Sequence, residues 1–202
     1  MSKDWTGNKK SIYVTLGASN HVPEERAEND YYATPPQAVE ELLKRESFNQ
    51  YVWEPACGAG HISDVLKQAG YQVYSTDIVN RNNYADDIAD FLAVGVHEFE
   101  SWKGDIITNP PYKYCCEFIK KSLDVIKNGN KVAMFLKLQT LESEKRYLQV
   151  FKDNPPKTIY VFVKRVGCLK NGIETGESSA VCYAWFVWEK GFDGDPIIKW
   201  IY

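Results

Sequence analysis

From residue 35 onward the chain alternates between two hydrophobic periods, and that alternation leaves few folds open. "PPQAVEELLKRE" (35–46) carries Val39, Leu42 and Leu43 at helical spacing with proline at its entrance. "YVWEP" (51–55) is a short β-prone run closed by proline, and "HISDVLKQAG" (61–70) sets Ile62, Val65, Leu66 and Ala69 on one helical face before Gly70. "YQVYSTDI" (71–78) reads as a strand, "ADDIADFLAVG" (85–95) is indistinct, and "DIITN" (105–109) reads as a strand again. A helix is expected over "YCCEFIKKSLDVIKNG" (114–129), whose apolar positions follow a 3.6 period up to Gly129. Beyond it "KVAMFLKL" (131–138) reads as a buried strand, "LESEKRYLQVFKD" (141–153) as a short helix, and "KTIYVFVKR" (157–165) and "SSAVCYAWFVWEK" (178–190) as strands before a tail, "PIIKWIY" (196–202). Near-continuous apolar strands alternating with helices predict a parallel sheet covered on both faces, a Rossmann-like α/β domain. The last two strands have no helix between them, so they are expected to form an antiparallel pair.

At 202 residues the chain suits one domain. Residues 1–28 read as a flexible N-terminal arm and 29–202 as the single domain. Five cysteines, with no C-x-x-C pair, indicate neither a disulfide framework nor a zinc site. His21, His61 and His97 are scattered, and no metal is expected. The longest apolar run, residues 180–188, is too short to span a membrane, and the N-terminus lacks an apolar signal region. A soluble cytoplasmic protein is expected. The net charge of −3 hides an asymmetry: residues 101–170 hold 14 Lys and Arg against 6 Asp and Glu. Such a segment can form a face that attracts a polyanion, or simply a solvated surface.

In a sheet of this kind ligands bind at the carboxyl ends of the strands. The first strand-to-helix turn is "EPACGAG" (54–60), where Gly58 and Gly60 permit a tight turn and close approach to a ligand. The dinucleotide fingerprint G-x-G-x-x-G fails, because position 63 is serine. Glu54 would repel a phosphate and suits a cationic α-amino group. Asp77, at the next strand end, is placed for ribose hydroxyls, and Ile78 for an adenine face. Further on, "DIITNPPY" ends a strand on Asn109, two prolines and Tyr112. Consecutive prolines remove two backbone donors and stiffen the loop, so carbonyl acceptors are presented without competing N–H groups.

Taken together, "DYYATPP" (30–36), "EPACGAG" (54–60), "STDI" (75–78), "ADFL" (89–92) and "NPPY" (109–112) resemble the S-adenosylmethionine-dependent N6-adenine DNA methyltransferases of the small phage or prophage kind. The resemblance implies a Rossmann-like methyltransferase fold: a mostly parallel seven-stranded sheet with an antiparallel last strand and helices on both faces. S-adenosylmethionine is the implied cofactor. Thr34 would touch its methionine carboxylate, and Glu54 with the backbone from Ala56 through Gly58 to Gly60 would hold the methionine portion. Asp77 would bind ribose, Asp90 would accept from the adenine amino group, and Phe91 would pack on that ring. Phe91 also reads as a core residue, and Asp86 and Asp87 compete for the register of Asp90.

The same resemblance makes Asn109, Pro110 and Tyr112 catalytic. An aromatic amine is a poor nucleophile because its lone pair is delocalised. Acceptors at the Asn109 side chain and the Pro110 carbonyl would draw that lone pair out of the ring, and Tyr112 would stack on a base flipped from a duplex or already single-stranded. Lys113, Arg146 and Arg165 read as phosphate contacts or as solvated charges, and Phe162 as a candidate second stacking ring. DNA is the expected partner; RNA base amines and protein glutamine share the same chemistry, and a non-catalytic cofactor-binding module is the remaining alternative. No separate large target-recognition domain is expected, so recognition is expected from loops near 139–147 and 167–179. The cysteines at 57, 115 and 116 read as structural.

Overall fold

The computed structural model describes residues 31–95, 102–170 and 181–202. The arm expected at 1–28, His97 and most of the loop at 167–179 lie outside them. The strands are β1 (Tyr32–Ala33), β2 (Tyr51–Glu54), β3 (Gln72–Asp77), β4 (Asp87–Ile88), β5 (Asp105–Thr108), β6 (Lys131–Lys137), β7 (Thr158–Phe162), β8 (Leu169–Lys170), β9 (Tyr183–Glu189) and β10 (Ile197–Ile201). The α-helices are α1 (Pro36–Leu43), α2 (His61–Gln68), α3 (Cys115–Val125) and a single turn α4 (Glu144–Arg146), which runs into a π-helical turn, Tyr147–Phe151.

Eight strands form one sheet in the order β10-β7-β9-β6-β5-β2-β3-β4, and β1 and β8 form a separate two-stranded antiparallel ribbon. Every pair in the large sheet is parallel except those made by β9, which inserts antiparallel between β6 and β7. Neighbouring residues of the central strands β2, β5, β6 and β9 enter opposite cores, which is why these strands read as unbroken apolar runs. Trp53, Ile106 and Met134 join α3 on one face, while Val52, Ile107 and Phe135 join α1 and α2 on the other. Proline at the start of α1 costs no hydrogen bond, and the helix buries Ala38, Val39 and Leu42. Burial of Val39 and Leu42 contributes about 1.5–3 kcal/mol each. The indole of Trp185 in β9 then ties the helix to the sheet by donating to the Ala38 carbonyl at 2.7 Å.

The strand expected at 178–190 is β9, which pairs antiparallel with β7 as expected, but the sheet has eight strands rather than seven and β9 is not the last of them. The segment expected as a tail is β10, which pairs parallel with β7 at the sheet edge. Its pattern hides it: Ile197, Ile198 and Trp200 are all exposed, so no alternation marks a buried face. Helix α3 stops at Val125, and Ile126 enters the core from extended backbone before the turn at Gly129. Among the described residues no helix is long and apolar enough to cross a membrane.

Candidate active site

The carboxyl ends of β2, β3 and β5 carry Glu54, Asp77 and Asn109 to the walls of one cavity of about 620 Å³. That volume falls within the range of sites for small molecules, about 300–1,000 Å³. Thr34, Ala56, Ile78, Asp90, Phe91 and Lys113 also line it. Residues expected from the turn after β2, the end of β3 and the proline loop are thus brought to a single space.

At the glycine turn, Gly58 and Gly60 both have positive φ, +57° and +90°. A side chain at either would be strained and would overlap a ring, that of Tyr31 at Gly58 and that of Tyr84 at Gly60. The Gly58 amide donates to Asp77 Oδ2 at 2.8 Å, which fixes the turn against the end of β3. Asp77 Oδ1 accepts from the Val79 amide at 2.9 Å and from Arg81 at 3.3 Å. The Arg81 guanidinium lies 4.4 Å from the centre of the Tyr31 ring, and both residues face the cavity. Glu54 is buried and accepts from the Ser63 hydroxyl, which also pairs with Ser75 at 2.8 Å. Burial raises the Glu54 carboxyl well above the ordinary glutamate range, with Asp77 adding to the rise and the Ser63 hydrogen bonds opposing it. Ser63, which breaks the dinucleotide fingerprint, is the residue that satisfies Glu54.

Phe91 serves both readings: it lines the cavity and is buried in the core, edge-on to Trp53 at 5.1 Å and against Phe118 at 5.1 Å. Asp90 is exposed at the rim, where its Oδ1 accepts from the Leu92 amide at 3.0 Å. Its competitors are engaged elsewhere, Asp86 with the Ser75 amide and Asp87 with the Tyr74 hydroxyl.

At the opposite wall the Asn109 amide nitrogen donates to the Tyr32 carbonyl at 2.6 Å. The reverse orientation would set two acceptors against each other, so this contact defines which end of the carboxamide is oxygen. Asn109 Oδ1 is buried and has no hydrogen-bond partner, and the same holds for the Thr34 hydroxyl. Tyr112 does not reach the cavity. Its ring packs against Tyr32 at 5.7 Å and Tyr183 at 6.0 Å, with Lys137 Nζ 4.8 Å from its centre, and its hydroxyl lies 3.2 Å from Cys168 Sγ. Burial raises the Tyr112 phenol well above its usual range and the Cys168 thiol to about 11, so both stay neutral at physiological pH. Pro110 is buried outside the wall, which takes Pro111 instead.

The basic residues and Phe162 separate. Lys113 is exposed at the rim, its Nζ 4.9 Å from the Tyr114 ring centre. Arg146 donates through Nη1 to the carbonyls of Gln139, Thr140 and Glu142, capping the turn before α4. Arg165 is exposed away from the cavity. Phe162 packs on Phe135 at 6.0 Å in the core, away from the cavity. Tyr31, Tyr32, Arg81 and Cys168 carried no role in the sequence reading. Only the first two had a signal, the tyrosine pair in "DYYATPP". Among the described residues no group of three or more His, Cys, Asp or Glu could hold a metal ion.

No protein-family model matches the sequence, and no curated protein matches it. Solved structures do. A Pyrococcus horikoshii protein named a "putative RNA methyltransferase" superposes with TM-score 0.56 at 14% identity over 91% of this chain and 99% of its own. A Listeria monocytogenes protein named a "putative class I S-adenosylmethionine-dependent methyltransferase" gives 0.52 at 13% identity over 95% and 71%. The type IIG restriction endonuclease BpuSI gives 0.50 at 14% over 77% of this chain and 24% of its own. The fold is that of the class I methyltransferases. Identities this low speak for the fold alone; proteins named hemolysin are among the matches as well.

Proposed function

We propose that the protein transfers the methyl group of S-adenosylmethionine to the N6 amino group of adenine in DNA. The observation that carries this reading is Asn109 Oδ1, a buried acceptor without a partner at the end of β5, beside the cavity that Glu54 and Asp77 also line. A buried polar atom left unpaired costs about 1–3 kcal/mol, and one at a cavity wall is open to a donor from a ligand. An exocyclic amine is such a donor.

The residues fit the cofactor. The unpartnered Thr34 hydroxyl suits a carboxylate, the buried Glu54 an ammonium, and Asp77 a ribose diol that replaces the 3.3 Å Arg81 contact. Ile78 and Phe91 would flank the adenine ring, with Asp90 at its amino group. When bound, the cofactor supplies an electrophilic methyl on a sulfonium centre. The protein's part is to hold the amine by a hydrogen bond from its N–H to Asn109 Oδ1 so that its lone pair leaves the ring plane and points at that carbon. Lys113 at the rim suits a phosphate, and nucleic acid is also what the names of the Pyrococcus and restriction-endonuclease neighbours suggest.

The test is transfer of labelled methyl groups to duplex DNA, single-stranded DNA, RNA and protein in parallel. Label should appear on adenine N6 in DNA. Asn109→Ala should lower the rate about 10²–10³-fold, the usual loss when one transition-state partner is removed, with cofactor affinity nearly unchanged. Label on glutamine or on RNA alone, or an undiminished rate in the variant, would refute the assignment.

A further inference from the structure

The proline motif's own Tyr112 supplies no ring to the cavity wall. Tyr112 is enclosed by Tyr32, Tyr183, Lys137 and Cys168 and takes no part in the cavity wall. Tyr32 does line it, half-buried, and its ring packs on that of Tyr112, tilted 35° to it. Its carbonyl is also the group that holds the Asn109 amide nitrogen. One residue therefore meets the catalytic loop twice, its carbonyl at Asn109 and its ring at Tyr112. Tyr32 is kept in place from behind by the ribbon, where it pairs with Lys170.

Resting on the methyl-transfer reading, we infer that Tyr32 supplies the aromatic face for the substrate base, and that Tyr112 is the layer supporting it. The ligand class is a planar heteroaromatic ring bearing an exocyclic amino group. Its plane is set by Tyr32, and its amine is met by Asn109 Oδ1, which the Tyr32 carbonyl has already turned toward it. One strand thus sets both the plane of the base and the direction of the acceptor. A ring fixed in this way discriminates between bases weakly, because every base has a π face. The amine requirement comes from Asn109, whose only open atom accepts.

The experiment uses the full chain and a short single-stranded oligonucleotide carrying 2-aminopurine at the target position, whose fluorescence is quenched on stacking. Because it reads binding, it separates this inference from the parent one: a wild-type protein that binds and quenches yet methylates no adenine would overturn the methyl-transfer reading and leave Tyr32 to be judged on quenching. Tyr32→Leu should weaken oligonucleotide binding by about tenfold or more and abolish the quench, with cofactor affinity within about twofold of wild type. Tyr32→Phe should restore both, and Tyr32→Trp, a larger face, should quench more strongly, which a residue that merely fills space would not do. Tyr112→Leu should act on the turnover rate more than on oligonucleotide affinity. Unchanged binding and quenching in Tyr32→Leu, or loss of the quench in Tyr112→Leu or Tyr114→Leu instead, would overturn the inference. If Tyr32→Leu does not fold, Tyr32→Trp without an altered quench would do the same.

Discussion

Around the glycine turn the protein has already answered its own polar groups, while the wall formed by Thr34 and Asn109 has not. Gly58 is bonded to Asp77, Glu54 to Ser63 and Ser63 to Ser75, and the space over both glycines is filled by tyrosine rings. Across the cavity, the Thr34 hydroxyl and Asn109 Oδ1 are buried and unanswered. The first region is a mould whose shape is held before any ligand arrives. The second keeps its unmet demand for the ligand, so binding energy is realised there. A change in the first region should therefore show up as stability, and a change in the second as function.

The sharpest way to break that contrast is Gly60→Ala. The left-handed backbone and the Tyr84 ring both oppose a methyl group, so a loss of about 2–4 kcal/mol is expected, read as a fall in melting temperature of about 5–15 °C. An unchanged melting temperature would mean that Tyr84 does not hold the turn. Thr34→Val tests the other wall. Removing a buried hydroxyl without a partner should leave stability level or raise it by up to about 1 kcal/mol, while titration shows cofactor affinity falling about 5–10-fold. If this variant instead melts as early as Gly60→Ala, the two regions do not differ in kind.

The smallest effect concerns Glu54 and depends on pH. Its carboxyl is raised in the folded protein, so the native state binds the proton more tightly than the unfolded chain. That contribution to stability is present in full below the ordinary glutamate range and is lost as pH rises toward the native value. Ligand-free protein should accordingly lose stability across that window, and Glu54→Gln should flatten the slope in melting curves taken at several pH values. A cationic ammonium favours the ionised carboxylate. Cofactor binding by the wild type should release protons, seen by calorimetry in buffers of different ionisation enthalpy, and binding by Glu54→Gln should not.

Much of this was legible in the letters. The strand runs around Trp53, Ile106 and Met134 were readable because each feeds two cores at once, and the loops ending in Glu54, Asp77 and Asn109 were placed by strand ends alone. Partners distant in sequence were not. Nothing local announces that Tyr84 covers Gly60 or that Cys168 meets Tyr112, since such contacts exist only once the sheet is ordered. The insertion of β9 between β6 and β7 likewise depends on which edges remain open, a property of the assembled sheet. The family resemblance assigned the aromatic of the proline motif to the substrate; the fold packs that ring on Tyr32 and Tyr183, and brings the Tyr32 carbonyl to Asn109 from 77 positions away.

The ribbon of β1 and β8 has a consequence for the order in which the molecule comes apart. It joins residues far apart in the chain by only two residue pairs, Tyr32 with Lys170 and Ala33 with Leu169, while the long strands beneath it share many more. Contacts of long range and small extent close late in folding and open early. Amide exchange at residues 32 and 33 should be faster than in β6, and mild denaturant should release Asn109 from its anchor, and with it the proposed activity, well before the sheet melts.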